Sequence, residues 1–213
     1  MGVKGYTDHV NKAVNELLYI VNVMMSSFGC CSTDVLCSLF YTFCTSSYGS
    51  LLWRLDEGYR KEVTVAWRKC LRRVLGVDCR TRSRYLPLLI SKPDIRTQFL
   101  CRFMSFWSNC SSSSNVKLRL AHSLALFSNS VAADNLRETL YMLGWNYSVL
   151  DLAYKENICV KKKIIEKWKK LISADDLATV EMIREVLLMR DGLLTSPLSK
   201  DERENLLFQI CVT

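Results

Sequence analysis

Hydrophobic residues recur every three or four positions along much of the chain, which is the spacing that places them on one face of an α-helix. The first such pattern predicts a helix from about Thr7 to Met25, with a stop at Phe28–Gly29. The apolar positions of this helix are Val10, Val14, Leu17, Leu18 and Val21. The segment is therefore an amphipathic helix with one face for a core.

Two further helices are predicted before residue 77. Ser32 can cap the second helix, and Asp34 complements its dipole. Its apolar stripe is Leu36, Leu39, Phe40 and Phe43. After a break at Tyr48–Gly49–Ser50, a third helix is expected from about Lys61 to Leu75, with Gly76 ending it. The predicted core positions of the third helix are Val63, Trp67, Cys70, Leu71 and Val74.

The remaining chain is also predicted to be helical, after an extended, Arg-rich connector from Val77 to Pro93 in which Pro87 and Pro93 exclude a long helix. Asp94 can cap a helix that runs through Trp107, and Asn109–Asn115 reads as a polar loop. Further helices are expected at Lys117–Phe127, Asn135–Leu143, Ile158–Leu171, Ala174–Met189 and Lys200–Cys211, with a junction at Gly144–Tyr154. The pattern predicts an all-α fold with a helical bundle at 1–76, an Arg-rich connector and helical region at 77–150 and a smaller helical region at 151–213.

Composition agrees with a helical globular protein. The chain has three prolines and eight glycines, and about half of its residues are apolar. Its ten cysteines lack metal-ligand spacing. Cys30, Cys37 and Cys44 recur every seven residues, which indicates buried, reduced thiols on one helix face. No secretory signal is evident, so we expect an intracellular protein.

One uncharged stretch raises the question of a membrane span. Val35–Trp53 contains nineteen residues without a charge, about the length that crosses a bilayer. Its serines, threonines, tyrosines and glycine lower its hydropathy. A buried helix that runs into a turn is therefore favoured, and no membrane partner is expected.

Positive charge is concentrated in one part of the sequence. From Arg60 to Arg84 there are nine Lys and Arg residues against Glu62 and Asp78, a net +7 in a chain whose total is +8. The nine cations are Arg60, Lys61, Arg68, Lys69, Arg72, Arg73, Arg80, Arg82 and Arg84. Together with the aromatic residues between them, they predict a surface that binds phosphates, with Trp67 in the core rather than stacked on bases.

Two other segments have features of functional sites. Asp175–Asp176 resembles a metal-binding aspartate pair, but Ser173 as an N-cap with acids in the first helical turn explains it better. The six lysines between Lys161 and Lys170 are consistent equally with a phosphate-binding face and with a solvated helix face. No catalytic motif, metal site or cofactor site is predicted.

The central sequence resembles one protein family. The runs Ser47-Tyr48-Gly49-Ser50-Leu51-Leu52-Trp53, Ala66-Trp67-Arg68-Lys69-Cys70-Leu71-Arg72-Arg73-Val74-Leu75-Gly76 and Arg80-Thr81-Arg82 are similar to the region after the palm in the reverse transcriptases of non-LTR (LINE-type) retrotransposons. Leu86-Pro87-Leu88-Leu89 continues the similarity, and Leu188-Met189-Arg190-Asp191-Gly192 resembles the end of these reading frames.

This resemblance implies a helical polymerase thumb and the region that follows it. The fingers, the palm with its catalytic aspartates and the endonuclease of the family would lie before Met1, so the chain is expected to have no polymerase activity of its own. It implies a transposable-element fragment that grips the backbone of RNA or an RNA–DNA duplex and packs on an upstream polymerase core.

Two alternatives remain open at this point. The chain could be a helical protein-interaction domain whose basic face meets an acidic partner. It could also be a decayed element fragment without independent function, with apolar surface exposed where a palm would pack.

Overall fold

A computed structural model describes residues 3–44, 57–156 and 158–195, and the side chains of 8–44, 61–156 and 158–192. Every regular element in these ranges is helical, which confirms the all-α prediction. The α-helices are α1 (Val3–Phe28), α2 (Thr33–Leu39), α3 (Glu57–Leu75), α4 (Leu86–Leu89), α5 (Ile95–Ser111), α6 (Val116–Phe127), α7 (Val131–Leu143), α8 (Tyr147–Lys155), α9 (Val160–Lys170) and α10 (Ala174–Thr195).

The chain divides into two compact units that interleave in sequence. The first unit comprises Met1–Asn15, Ser47–Ala66 and Pro93–Leu171, and the second comprises Glu16–Ser46, Trp67–Lys92 and Ile172–Thr213. Helices α1 and α3 therefore contribute residues to both. The predicted domain boundaries stay a prediction.

Helix α5 forms the centre of the first unit. It packs against α6, α7 and α9 and buries Leu100, Phe103, Met104 and Trp107. As predicted, Asp94 caps its N-terminus by accepting a hydrogen bond from the Thr97 N–H at 2.8 Å. The helix reaches Ser111, four residues beyond the predicted end, so part of the expected polar loop is helical.

The predicted junction after Gly144 is wrong, because α8 occupies most of it. Gly144 does end α7 in a left-handed conformation, with φ 71°. The chain then restarts at once, since the Asn146 side chain accepts a hydrogen bond from the Val149 N–H at 2.9 Å and caps α8.

The core of the second unit is built around Trp67. Its ring is 1% exposed and its centroid lies 6.2 Å from that of Phe40, in a tilted arrangement. The other predicted core residues of α3 in this unit, Cys70, Leu71 and Val74, are also buried. The core position predicted for Trp67 is confirmed.

Helix α2 continues into a π-helical segment, Phe40–Cys44, that the sequence did not predict. The wider turn shifts the apolar stripe, so Leu36, Phe40 and Cys44 are buried whereas Phe43 is 61% exposed. Phe43 was therefore wrongly predicted to be in the core. Cys30 is also exposed, because it lies in the turn before α2 rather than on a helix face.

The connector after Gly76 is not extended as predicted. Backbone hydrogen bonds from Thr81 to Asp78 and from Tyr85 to Arg82 fold it into turns, and a short helix, α4, follows with Pro87 in its first turn. All four residues of α4 are buried, and α4 packs against α10.

The predicted break at Tyr48–Ser50 and the predicted helix at Lys200–Cys211 lie outside the described residues. No helix in the described part of the chain is long and apolar enough to cross a membrane.

Candidate nucleic-acid interface

Helix α3 presents its cations opposite its buried side. In the part of α3 that belongs to the second unit, Lys69 and Arg73 are exposed, and Arg68 and Arg72 are half-buried. The sequence places Arg68 and Arg72 four residues apart, so they lie one turn from each other along the helix. Lys69 and Arg73 repeat that relationship on the adjacent row.

Arg72 fastens the connector to α3. Its guanidinium donates two hydrogen bonds to the carbonyl oxygen of Thr81, at 3.3 Å from Nε and 2.9 Å from Nη2, and one to the Ser83 hydroxyl at 2.9 Å. The planar guanidinium suits this two-point contact. Arg72 therefore places the connector segment 80–83 beside the cationic edge of the helix.

Arg80 and Arg82 project from this fastened segment. Both side chains are exposed, and no hydrogen bond or ion pair engages either of them within the described residues. The turn that carries them is closed by the Asp78 carboxylate, which accepts a hydrogen bond from the Arg80 N–H at 2.6 Å. Among the residues that the structure describes, their guanidinium groups are thus exposed and carry unpaired positive charge.

Arg84 is engaged within the protein. Its Nε lies 3.0 Å from Oδ1 of Asp176, and its guanidinium carbon lies 5.1 Å from the centroid of the Tyr85 ring. Arg84 also donates a hydrogen bond to the Tyr85 hydroxyl at 3.1 Å, and this bond is the main cause that lowers the pKa of the phenol. Sequence reasoning put Arg84 among the ligand-binding cations without this internal pairing.

The other predicted ligand-binding cations also include some that have a partner within the protein and some that have none among the described residues. Arg73 donates to the side-chain oxygen of Asn22 on α1. Lys61 is exposed on the part of α3 that belongs to the first unit, and the side chain of Arg60 lies outside the described range. The cations brought together without internal partners in the described second unit are Arg68, Lys69, Arg80 and Arg82.

The end of α3 is held by a contact that sequence reasoning missed. Gly76 has φ 62° and closes the helix with hydrogen bonds from Gly76 N–H to Arg73 O and from Val77 N–H to Arg72 O. Arg190 of α10 then donates to the carbonyl oxygens of Leu75 at 2.8 Å and Gly76 at 3.2 Å. No local pattern could have indicated it.

The neighbouring residue Asp191 caps a different helix. Its carboxylate accepts hydrogen bonds from the Thr33 N–H at 2.7 Å and the Thr33 hydroxyl at 2.9 Å. Ser32 occupies the predicted cap position, but its side chain makes no cap hydrogen bond. The cap of α2 therefore comes from α10 rather than from the adjacent residue.

A groove of about 610 Å³ lies between α2, the end of the connector and α10 in the second unit. Its wall carries both signs of charge, with Lys92 and Arg184 as the cations and Asp34 and Asp191 as the anions. Lys92 is stacked 5.2 Å from the Tyr41 ring centroid, and Arg184 donates to the carbonyl of Leu88 at 2.7 Å. The groove is thus chemically unlike the cationic edge.

The aspartate pair on α10 has the structural role that the sequence favoured. The Asp176 N–H donates to the Ser173 hydroxyl at 3.1 Å, so Ser173 caps the helix. Asp176 pairs with Arg84, and no group of three potential metal ligands occurs among the residues described. The pair therefore complements the helix dipole and the basic connector.

No protein-family model, curated protein or solved structure matches this chain.

Proposed function

We propose that the chain is a non-catalytic nucleic-acid-binding module, derived from the C-terminal part of a non-LTR retrotransposon reverse transcriptase. It grips the backbone of RNA or of an RNA–DNA duplex. The family assignment rests on the sequence motif around Trp67 and Gly76. The binding assignment rests on the contact by which Arg72 draws the connector onto α3.

That contact turns two separate sets of cations into one surface. Arg68 and Lys69 come from the helix, and Arg80 and Arg82 come from the connector. Guanidinium and ammonium groups without internal partners bind phosphate oxygens through charge-assisted hydrogen bonds. Phosphate contacts of this kind position a protein on the duplex without reading the base sequence.

The test is a salt titration of binding to RNA duplex and RNA–DNA hybrid. Neutralising Arg68, Lys69, Arg80 and Arg82 to Gln is expected to lower the slope of log K against log salt by about 3, at about 0.7 to 0.9 per lost phosphate contact. A control variant neutralises two lysines elsewhere, Lys117 and Lys155, which are exposed on α6 and α8 of the first unit, and should leave the slope unchanged. Absence of binding at low salt, or an unchanged slope in the quadruple variant, contradicts the proposal.

One observation favours a protein-interaction role as the second candidate. Helix α6 has no buried residue, and Leu120, Leu124 and Phe127 are 58%, 60% and 89% exposed. Exposed apolar residues in this number mark a surface that another protein covers. If this role dominates, substitution of Leu120, Leu124 and Phe127 by Ser will abolish association with the protein partner, and neutralising Arg68, Lys69, Arg80 and Arg82 will leave that association unchanged.

A further inference from the structure

Helix α9 of the first unit concentrates positive charge that the proposed function does not use. Between Val160 and Lys170 six lysines stand against Glu166, a net +5 on eleven residues. The six lysines are Lys161, Lys162, Lys163, Lys167, Lys169 and Lys170, and all of them are exposed.

The apolar side of α9 is already covered. Val160 is 5% exposed and Ile164 is fully buried, and the helix packs against α5 and α7. The lysines are therefore held on a fixed helix rather than on a mobile segment. Because Val160 and Ile164 are packed inside the protein, the side of α9 that carries them cannot lie in a bilayer interface as the apolar face of an amphipathic membrane helix does.

The two helices packed on α9 carry few acidic residues. Helix α5 contains no acidic residue. On α7, Glu138 pairs with Arg96 and Asp134 pairs with Arg137. Each of the two acids of α7 is therefore paired with an arginine outside α9.

The acid on α9 itself is paired with one of the six lysines. Glu166 accepts a hydrogen bond from Lys163 at 2.9 Å, and this bond, together with the charges of Lys163, Lys170 and Lys162, lowers the pKa of the carboxyl group. One carboxylate against six ammonium groups leaves the face unbalanced, which favours a polyanionic ligand.

We infer that the lysine face of α9, on the first unit, is a second binding surface for the phosphodiester backbone of a nucleic acid, in addition to the surface formed by α3 and the connector on the second unit. Lysine ammonium groups are compact point charges that suit phosphates without fixed geometry. Nine helical steps from Lys161 to Lys170 span roughly 13 Å, the axial length of about four phosphates on one strand. The inference rests on the proposed function only for the identity of the ligand.

The decisive measurement is the number of short duplexes that one chain binds. With RNA duplexes of about ten base pairs at low salt, isothermal titration calorimetry is expected to give two per chain. Changing Lys162, Lys167, Lys169 and Lys170 to Gln should reduce this number to one. Lys163 is kept so that its pair with Glu166 remains.

Two double variants that remove the same charge test whether binding depends on the position of the lysines or only on the net charge of the protein. Lys162→Gln with Lys169→Gln removes two lysines from one side of α9, and should lower the salt slope by about 1.5. Lys117→Gln with Lys155→Gln removes the same charge from α6 and α8, and should leave the slope unchanged. Glu166→Gln should act in the opposite direction and tighten binding severalfold.

Failure of this inference is distinguishable from failure of the proposed function. One duplex per chain, with binding unchanged in the quadruple α9 variant, overturns the inference and leaves the α3 surface intact. Loss of all binding in the α9 variant, with no effect of the α3 and connector substitutions, supports α9 and contradicts the proposed function. The choice of ligand is overturned if the protein binds polyglutamate or phosphatidylserine vesicles more tightly than RNA and the quadruple α9 variant loses that binding.

Discussion

The guanidinium of Arg84 lies 3.0 Å from the carboxylate of Asp176, so one cation of the basic stretch is already paired with an acid from α10. Asp176 is 8% exposed, and its Oδ1 accepts no hydrogen bond, which makes the contact an ion pair. The Arg84 side chain is 57% exposed and can reach solvent. A phosphate that approaches Arg84 must compete with Asp176.

Neutralising this acid should therefore strengthen nucleic-acid binding. Asp176→Asn keeps the shape of the side chain and releases Arg84, and we expect the salt slope to rise by about 0.9 and affinity to increase severalfold. Asp175→Asn is the matched control, because it removes the same charge from the exposed neighbouring position. Equal effects of the two substitutions in fluorescence anisotropy would show that Arg84 is not withheld.

Arg72 should be required for its shape rather than for its charge. Arg72→Lys keeps the charge but cannot reproduce the bonds to Thr81 and Ser83, so we expect a loss of about 1 to 2 kcal/mol in the free energy of unfolding. Affinity for duplex should also fall, because the connector is no longer fixed on α3.

The control for this prediction is Arg68→Lys. It conserves charge at a position without a hydrogen bond among the described residues, and both urea unfolding and binding should stay near wild type. Equal behaviour of the two lysine variants would refute the positioning role of Arg72.

Substitutions at two glycines distinguish the cost of backbone strain from the cost of a lost side-chain contact. A Cβ at Gly76 would overlap the Nη1 atom of Arg190, whereas a Cβ at Gly144 meets nothing within 4 Å. Both glycines have positive φ, so Ala at either position costs about 1 to 2 kcal/mol in backbone strain. Gly76→Ala should lose about 2 kcal/mol more than Gly144→Ala in urea unfolding, because it also displaces Arg190.

A double-mutant cycle checks that explanation. Once Arg190→Ala has removed the guanidinium, Gly76→Ala should cost no more than Gly144→Ala does. Full additivity of the Gly76 and Arg190 substitutions would mean that the two residues are not coupled.

Buried thiols should make the protein sensitive to alkaline pH. Burial raises the pKa of Cys44, Cys70 and Cys101 to about 11, against an ordinary value of 9.0. Because the folded state favours the neutral thiol, stability is fully present below pH 9 and falls as pH rises from 9 towards 11. Each thiol should contribute a loss on the order of 1 kcal/mol per pH unit, measured by urea unfolding at successive pH values.

Substitution of one buried thiol tests whether thiol ionisation causes the loss of stability at alkaline pH. Cys70→Ala should cost stability at pH 7 but flatten the decline above pH 9. Cys79 is exposed and provides the control, since Cys79→Ala should leave the stability at pH 7 unchanged. An unchanged alkaline decline in the Cys70 variant would assign that decline to other groups.

The sequence predicted features that depend on neighbouring residues. The repeat of α3, its stop at Gly76 and the caps at Asp94 and Ser173 all follow from a few adjacent positions. Helix α8 was missed because Gly144 and the polar residues after it resemble an ordinary junction. One helix can end and the next begin within three residues.

Features that depend on residues distant in sequence could not be predicted from local sequence patterns. The nine cations of the basic stretch look alike in a linear pattern, yet Arg72 bonds to the connector and Arg84 pairs with α10. Which arginine is structural depends on the side chain or carbonyl that folding brings within about 3 Å. The π-helical segment that exposes Phe43 likewise has no signature in the spacing of its residues.

The caps supplied by α10 also impose an order of events on synthesis. Arg190 and Asp191 are adjacent, but Arg190 binds the C-terminal end of α3 and Asp191 caps the N-terminal end of α2. The hydrogen bond from Thr33 to Asp191 joins residues 158 positions apart. A ribosome releases both helices long before it releases their partners. Closure of the second unit is therefore a late step in translation, and nascent chains stalled before residue 190 should remain open to proteases at the helix ends.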